Sequence, residues 1–194
     1  MNAWSMNKQI LFMCSLVLTA CAPKHENKEP VVKYHEGRET LVAGEFGYNP
    51  ICPMGVYMAD PSAKVIDGKL YVACSLDLTT DLWCTAYHHM LSTEDALHWD
   101  LHTNVFATKG PYDEVSYSDA DLYAPDIAEK DGKYYLYYDL SEWTEGVAVA
   151  DSPAGPYRDG RQIGDIRGID PCVFIDDDGQ AYFSGTSSAP REPN

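Results

Sequence analysis

Three copies of one local pattern constrain the fold of this chain more than any other feature. Each copy has a proline, a short apolar run, an Asp-Gly pair and a second run that bears tyrosine. The copies are ADPSAKVIDGKLYVACS from Ala59, APDIAEKDGKYYLYYD from Ala124 and IDPCVFIDDDGQAYFSG from Ile169. An Asp-Gly pair between apolar runs predicts a β-hairpin, because a type I′ turn needs positive φ at both central positions. We therefore predict three hairpins with turns at 67–68, 131–132 and 178–179.

Further strand-like sequence follows the first two hairpins, at 86–92 and 97–99 and at 146–150. Each unit then holds about four strands, which is the content of a propeller blade. The turns recur 64 and 47 residues apart, within the range of blade repeats. No segment has helical periodicity, and matched hairpins favour a propeller over a repeat-free β-sandwich. We predict an all-β chain with about two and a half blades, which is an incomplete propeller because its sheet edges remain unpaired.

The first residues have the composition of an export signal. Lys8 precedes a short apolar run at 10–18, which is too short to span a membrane, and the run ends in Leu18-Thr19-Ala20-Cys21. This tetrapeptide resembles a bacterial lipobox, in which the cysteine is lipidated. We predict a signal peptide at 1–20, a lipidated tether at 21–45 and an incomplete catalytic domain at 46–194. The expected location is exported and membrane-anchored, through acyl chains at Cys21 only; the alternative is a plain secretory signal.

The net charge of the chain narrows the classes of molecule that it can bind. The formal net charge of −16, without any basic cluster, excludes a nucleic-acid partner and favours a neutral substrate.

Four cysteines follow the signal segment: Cys52, Cys74, Cys84 and Cys172. An exported compartment permits disulfides, and four cysteines allow three pairings. Cys74 and Cys172 lie in apolar strand-like runs, so we expect these two to be buried free thiols.

Several short motifs resemble glycoside hydrolase family 43. They are Ala59-Asp60-Pro61-Ser62, Tyr123-Ala124-Pro125-Asp126, Gly168-Ile169-Asp170-Pro171, the acidic turn at 176–179 and the Ser-Pro-x-Gly-Pro-Tyr segment at 152–157. The similarity runs from about Asn49 to Gly185. It implies a five-bladed propeller that hydrolyses α-L-arabinofuranosides, β-xylosides and related glycans with inversion of configuration. The expected partner is an oligo- or polysaccharide substrate.

The resemblance also implies roles for individual residues. Asp60 corresponds to the general base, and Asp170 corresponds to the aspartate that raises the pKa of the general acid. The acid itself is a glutamate of a later blade, and we predict that it is absent from this chain. An inverting hydrolase needs two carboxyl groups roughly 6.5–9.5 Å apart, so that a water molecule fits between one of them and the sugar. Asp126 follows its proline instead of preceding it, so it is a candidate for substrate binding rather than catalysis.

Aromatic residues near the predicted channel are further candidates. Trp83, Trp143 and Tyr123 are placed to stack on a sugar ring, although each is equally suited to packing between blades. No cofactor is expected. Some relatives hold an axial calcium ion, but we identify no ligands for one in this sequence. Two other functions remain open: a non-catalytic glycan-binding lipoprotein, and a fructan- or sucrose-cleaving propeller, which is disfavoured because Tyr57-Met58-Ala59-Asp60-Pro61 lacks the asparagine typical of that group.

Overall fold

The computed structural model describes residues 37–44, 51–53 and 55–187 of the 194-residue chain. This part is all-β, with one short 3₁₀ turn and no α-helix. The predicted signal peptide and Cys21 lie outside the described residues. The strands are β1 (Thr40–Gly44), β2 (Tyr57–Ile66), β3 (Lys69–Asp77), β4 (Tyr87–Thr93), β5 (Trp99–Ala107), β6 (Leu122–Lys130), β7 (Lys133–Leu140), β8 (Thr144–Ala150), β9 (Arg158–Ile175) and β10 (Ala181–Ser187).

Two five-stranded antiparallel sheets form the architecture. The first has the order β1-β5-β4-β3-β2, and the second has the order β10-β9-β8-β7-β6. In each sheet, four strands that follow one another in sequence are also neighbours in space, as in a propeller blade. The strand β1 adds a fifth strand to the first sheet through its pairing with β5. It lies inside the range 21–45 that the sequence predicts to be a tether.

The long strand β9 connects the second unit to the third. Its first part pairs with β8, and its last part, from Gly168 onward, pairs with β10. A single strand is therefore the outer strand of one unit and the first strand of the next. The arrangement is that of about two and a half blades of a β-propeller, as the repeats predict, and it agrees with the five-bladed type that the family resemblance implies. The sequence pattern did not predict the part of β9 before Ile169, because its charged residues and glycines do not resemble a strand.

The hairpin turns form where Asp-Gly pairs predict them, but they are not all alike. Both turn residues have positive φ at Asp67-Gly68 (49° and 80°) and at Asp131-Gly132 (54° and 71°), as a type I′ turn requires. In the third hairpin, positive φ is found at Gly179 but not at Asp178. Here β9 ends at Ile175 and β10 begins at Ala181, so a longer connection replaces the two-residue turn.

An apolar core lies between the first two units. Met90 and Phe106 from the first sheet pack with Leu136 and Tyr138 from the second, and all four side chains are fully buried. The rings of Phe106 and Tyr138 are 4.7 Å apart between centroids. Gly146 on β8 leaves room for the Tyr138 ring, since a Cβ atom at this position would lie 2.3 Å from it. Side-chain packing holds these units together, and backbone hydrogen bonds from Leu122 to Thr85 and from Tyr157 to Val105 add to it.

A single carboxylate connects the first strands of the three units. Asp126 on β6 is 2% exposed. It accepts a hydrogen bond from the hydroxyl of Ser62 and lies 3.2 Å from the ammonium of Lys64, both on β2. Its other oxygen accepts a hydrogen bond of 2.6 Å from the amide of Val173 on β9. These contacts place β2, β6 and the end of β9 side by side.

One expectation about the cysteines is wrong. Cys74 is buried, as its apolar surroundings predict, but Cys172 is exposed. Around it the side chains of β9 alternate, with Pro171 and Val173 buried and Phe174 exposed. Cys172 therefore points to the open face of the third unit, which an apolar sequence alone does not distinguish from the buried face. The four described cysteines are free. In the described residues there is no helix with the length and hydrophobicity needed to cross a membrane.

Substitution of Asp126 tests its contribution to the fold. We expect Asp126→Ala to lower the free energy of unfolding by about 2–4 kcal/mol, because it leaves buried donors on β2 and β9 without their acceptor. Asp126→Asn keeps one acceptor oxygen and should cost less. Urea unfolding followed by tryptophan fluorescence measures both changes. Asp119→Ala, at an exposed position, is the control and should change stability by less than about 0.5 kcal/mol. An Asp126→Ala variant as stable as this control would contradict the connecting role.

Candidate active site

Asp60 lies at an irregularity in the strand β2. The pairing of β2 with β3 is interrupted between Ala59 and Ser62, and Asp60 has φ of 49° immediately before Pro61. Positive φ is uncommon outside glycine and costs free energy. Such a bulge turns a side chain away from the regular alternation of the strand. The Asp60 side chain is exposed, and its Oδ2 accepts a hydrogen bond of 2.9 Å from the hydroxyl of Ser75 on β3.

Asp170 repeats this geometry in the third unit. The pairing of β9 with β10 is interrupted opposite it, between Ser184 and Thr186. Asp170 has φ of 59°, precedes Pro171 and is exposed. The two aspartates that the sequence analysis selected therefore share a backbone conformation as well as a motif. Bulges and left-handed residues concentrate near active sites, so this repeated feature favours a functional interpretation.

The corresponding part of the second unit differs. The pairing of β6 with β7 is interrupted between Leu122 and Pro125, but neither Tyr123 nor Ala124 has positive φ. Asp126 comes after this irregularity and is buried in its contacts with β2 and β9. These contacts explain why it does not match the exposed aspartates of the other two units. Its predicted contact with substrate stays a prediction.

Two further acids, Asp139 and Glu145, lie next to Asp170. Both are fully buried, and none of their carboxyl oxygens has a hydrogen-bond partner of normal geometry within the described ranges. Burial is the main cause that raises the pKa of Asp139 to about 8, and the charges of Glu145 and Asp170 add to it. The backbone of Asp170 lowers this pKa and offsets part of the effect. Burial and the charge of Asp170 raise the pKa of Glu145 to about 7. At neutral pH, Asp139 is therefore largely protonated and Glu145 is partly protonated.

Electrostatic interactions connect these acids with Asp60. Burial raises the pKa of Cys84 to about 12, with further contributions from Asp77, Asp60 and Asp139. Burial also raises the pKa of Tyr123, and Cys84 and Asp139 add to that shift. Asp60, Asp139 and Asp170 thus belong to one acidic region that spans all three units. Tyr123 lies beside this region, and its predicted role in substrate binding stays a prediction.

The two candidate tryptophans lie in the loops that border the acidic region. Trp83 immediately precedes Cys84 and is 80% exposed. Trp143 lies in the turn between β7 and β8, is 42% exposed, and accepts a hydrogen bond at its backbone oxygen from Gly168. An exposed aromatic face is available to a sugar ring, whereas a buried one is not. Their exposure favours a role in binding over a role in packing.

Comparison with known proteins places these features in a family. The model of the family described as "Glycosyl hydrolases family 43" matches residues 48–194. The chain belongs to glycosyl hydrolase family 43. It is 39% identical over 141 residues to "Xylosidase/arabinosidase 43A" of Humicola insolens, a match that covers 66% of this chain and 43% of that protein. It is 37% identical over 147 residues to "Beta-xylosidase" of Xylanibacter ruminicola, covering 66% and 45%.

Solved structures agree with this family assignment. The GH43_1 enzyme from Xanthomonas citri complexed with xylotriose has a TM-score of 0.58 and 32% identity, over 75% of this chain and 42% of that one. CoXyl43, a GH43 β-xylosidase/α-arabinofuranosidase from a compost microbial metagenome, has a TM-score of 0.56 and 33% identity, over 76% and 46%. The chain thus spans less than half the length of these relatives.

Enzymes of this family need a general acid, and Glu145 is the described residue to consider for that role. Glu145 has a raised pKa and lies beside Asp170, which are the electrostatic properties expected of that acid. Its side chain is nevertheless fully buried. It borders a cavity of about 510 Å³ together with Gly168 and Gly185, and a Cβ atom on either glycine would lie within 3.4 Å of its Oε1. Glu145 is therefore enclosed by β9 and β10, and no described residue is assigned as the acid.

The sequence patterns pointed to neither Glu145 nor Asp139 as a site residue. The structure shows that the end of the second unit meets the start of the third, which brings both acids to Asp170. No local pattern reveals this contact, because it depends on packing between units. The only signal in the sequence is an acid at each end of the short connection between β7 and β8.

The described residues do not fit an axial calcium ion. Among them there is no group of three or more His, Cys, Asp or Glu side chains with the spacing to hold a metal. Asp126 is the carboxylate between the first strands, and the ammonium of Lys64 already lies beside it. A divalent cation there would be repelled by this lysine. No catalytic step is therefore assigned to a metal.

The buried acids predict a dependence of stability on pH. The pKa of Glu145 rises from its ordinary 4.5 to about 7 on folding, so the folded state binds more protons and loses stability as pH rises across this interval. Glu145→Gln should therefore be the more stable protein at alkaline pH, by about 1–3 kcal/mol at pH 8, with a smaller advantage near pH 5. Chemical unfolding of the variant and the parent protein at pH 5 and pH 8 measures this difference in stability. Glu142→Gln, at an exposed position of the same connection, should show no such trend; a pH-independent effect of Glu145→Gln would oppose this interpretation.

Proposed function

We propose that the protein is an inverting glycoside hydrolase that cleaves arabinose- or xylose-containing plant glycans. Membership of family 43, together with the matching exposed positions of Asp60 and Asp170, is the observation that carries this proposal. Relatives named as xylosidases and arabinosidases, and a similar enzyme whose structure contains xylotriose, support the substrate class. The acidic surroundings suit a neutral glycan better than an anionic one.

The proposed reaction begins with water activation by Asp60. The carboxylate takes a proton from water, and the water oxygen attacks the anomeric carbon from the face opposite the leaving group. The bond to the leaving oxygen then breaks with inversion, and a general acid protonates this oxygen. Asp170 acts through its negative charge, which raises the pKa of the acid so that it is still protonated at working pH. Trp83, Trp143 and Tyr123 contribute aromatic faces on which sugar rings stack.

The reaction is tested with protein expressed from the open reading frame that contains this chain. We expect it to hydrolyse xylo- or arabino-oligosaccharides, and proton NMR during the first minutes should show the inverted anomer. Asp60→Asn should lower kcat by about 10²–10⁴-fold, because the amide cannot accept the proton from water. Asp119→Asn, at an exposed position, is the control.

Other outcomes of this experiment separate the alternatives. Retention of configuration would refute the inverting mechanism. Calorimetric binding of these oligosaccharides without turnover would instead support the non-catalytic glycan-binding lipoprotein. An Asp60→Asn variant with full activity would remove Asp60 from its assigned role.

We also propose that Cys21 is lipidated and holds the protein at a bacterial membrane surface. The basic Lys8, the short apolar run and the tetrapeptide that ends at Cys21 support this proposal. After expression in a bacterium fed with radiolabelled palmitate, the protein should carry label and sediment with membranes. Cys21→Ser should lose both properties, whereas Cys14→Ser, within the signal segment, should keep them. Label or sedimentation that persists in Cys21→Ser would contradict the anchor.

A further inference from the structure

The carboxylate of Asp60 is held from the neighbouring strand. The hydroxyl of Ser75 donates a hydrogen bond of 2.9 Å to its Oδ2. Ser75 is fully buried, whereas the Asp60 side chain is exposed. One carboxylate oxygen therefore faces a fixed donor inside the sheet, and Oδ1 is the oxygen available to a water molecule. A buried hydroxyl without a partner is costly, so this hydrogen bond is retained rather than exchanged with solvent.

The position of Ser75 is determined by the sheet. It lies in β3, where it pairs with Ala59 of β2 on one side and with His88 of β4 on the other. Two neighbouring strands thus fix its backbone, and its side chain has no freedom to follow a moving carboxylate. Asp60, in contrast, lies at the bulge, where the pairing of β2 with β3 is interrupted. A side chain at an interruption of the ladder is therefore held by one from a fully paired part of the sheet.

The two thiols near this pair are neutral. Cys84 interacts with Ser75, and burial raises its pKa to about 12, so its thiol stays neutral at working pH. Burial likewise raises the pKa of Cys74 to about 12. The Cys84 backbone is fixed through a hydrogen bond of 2.8 Å from its amide to Asp77. Neither thiol presents a negative charge to the Ser75 hydroxyl, which donates its hydrogen bond to Asp60.

We propose that Ser75 is a positioning residue for the general base: its hydroxyl holds Oδ2 of Asp60 and thereby directs Oδ1 towards the attacking water. This inference rests on the proposed function of Asp60. It goes beyond that function, because it explains how an exposed carboxylate at a strand bulge keeps a single orientation. Loss of the hydroxyl frees the Asp60 side chain to adopt other rotamers, and misplacement of a reacting group lowers the rate.

The test compares three variants of Ser75 in the protein expressed from the complete open reading frame. Ser75→Ala and Ser75→Cys remove the strong donor, and the cysteine variant nearly preserves side-chain volume. We expect both to lower kcat on xylo-oligosaccharides by about 10-fold while KM changes less than about twofold. Ser75→Thr keeps the hydroxyl and should retain most of the activity. Ser92→Ala, which removes another buried serine hydroxyl of the same sheet, should leave kcat unchanged.

A second measurement does not depend on turnover. Three-bond NMR couplings report the side-chain rotamer of Asp60, assigned through the Asp60→Asn variant. The couplings should indicate one rotamer in the parent protein and an average of rotamers in Ser75→Ala. Unchanged kcat or an unchanged single rotamer in Ser75→Ala would overturn the inference. If the parent protein hydrolyses no glycan, the proposed function fails, while the couplings still decide whether Ser75 positions Asp60.

Discussion

The position of Asp126 is the constraint on which the candidate active site depends. The first strands of the three units are not paired through their backbones, so side-chain contacts must set their spacing. Asp126 binds Ser62 on β2 and the amide of Val173 on β9. These residues lie two positions after Asp60 and three positions after Asp170. The buried carboxylate therefore helps to fix the separation of the two strand irregularities that carry the exposed aspartates.

Strain at the two aspartates is the cost of this arrangement. Asp60 and Asp170 have φ near 50–60° before proline, a conformation that non-glycine residues rarely adopt. It persists because regular pairing resumes on both sides of each irregularity, at 57–59 and 62–66 in β2 and at 168–169 and 172–175 in β9. The ladders offset the local cost of about 1–3 kcal/mol for each such residue. In return, each carboxylate leaves the alternation of its strand and becomes exposed at the same end of its unit.

The repeats predicted the local fold well because hairpins depend on local chemistry. The turns at Asp67-Gly68 and Asp131-Gly132 and the strands beside them follow from short motifs. Features that depend on packing between units could not be predicted in this way. The first part of β9 is a strand because β8 offers it a partner, and the exposure of Cys172 depends on which face of β9 is covered. The burial of Glu145 could not be predicted from the sequence either, because glutamate side chains are rarely fully buried.

The surroundings of the two exposed aspartates differ in a way that matches different roles. Asp60 is accompanied by a hydroxyl and by neutral thiols, and none of these competes with it for a proton near neutral pH. Asp170 is accompanied by Asp139 and Glu145, whose pKa values are raised to about 8 and about 7. A base must stay ionised to accept a proton, whereas a residue that acts through its charge must lie close to the group whose pKa it raises. Since the same fold provides both settings, the proposed division of roles depends on where each unit meets its neighbour and not on the Asp-Pro motif that the two residues share.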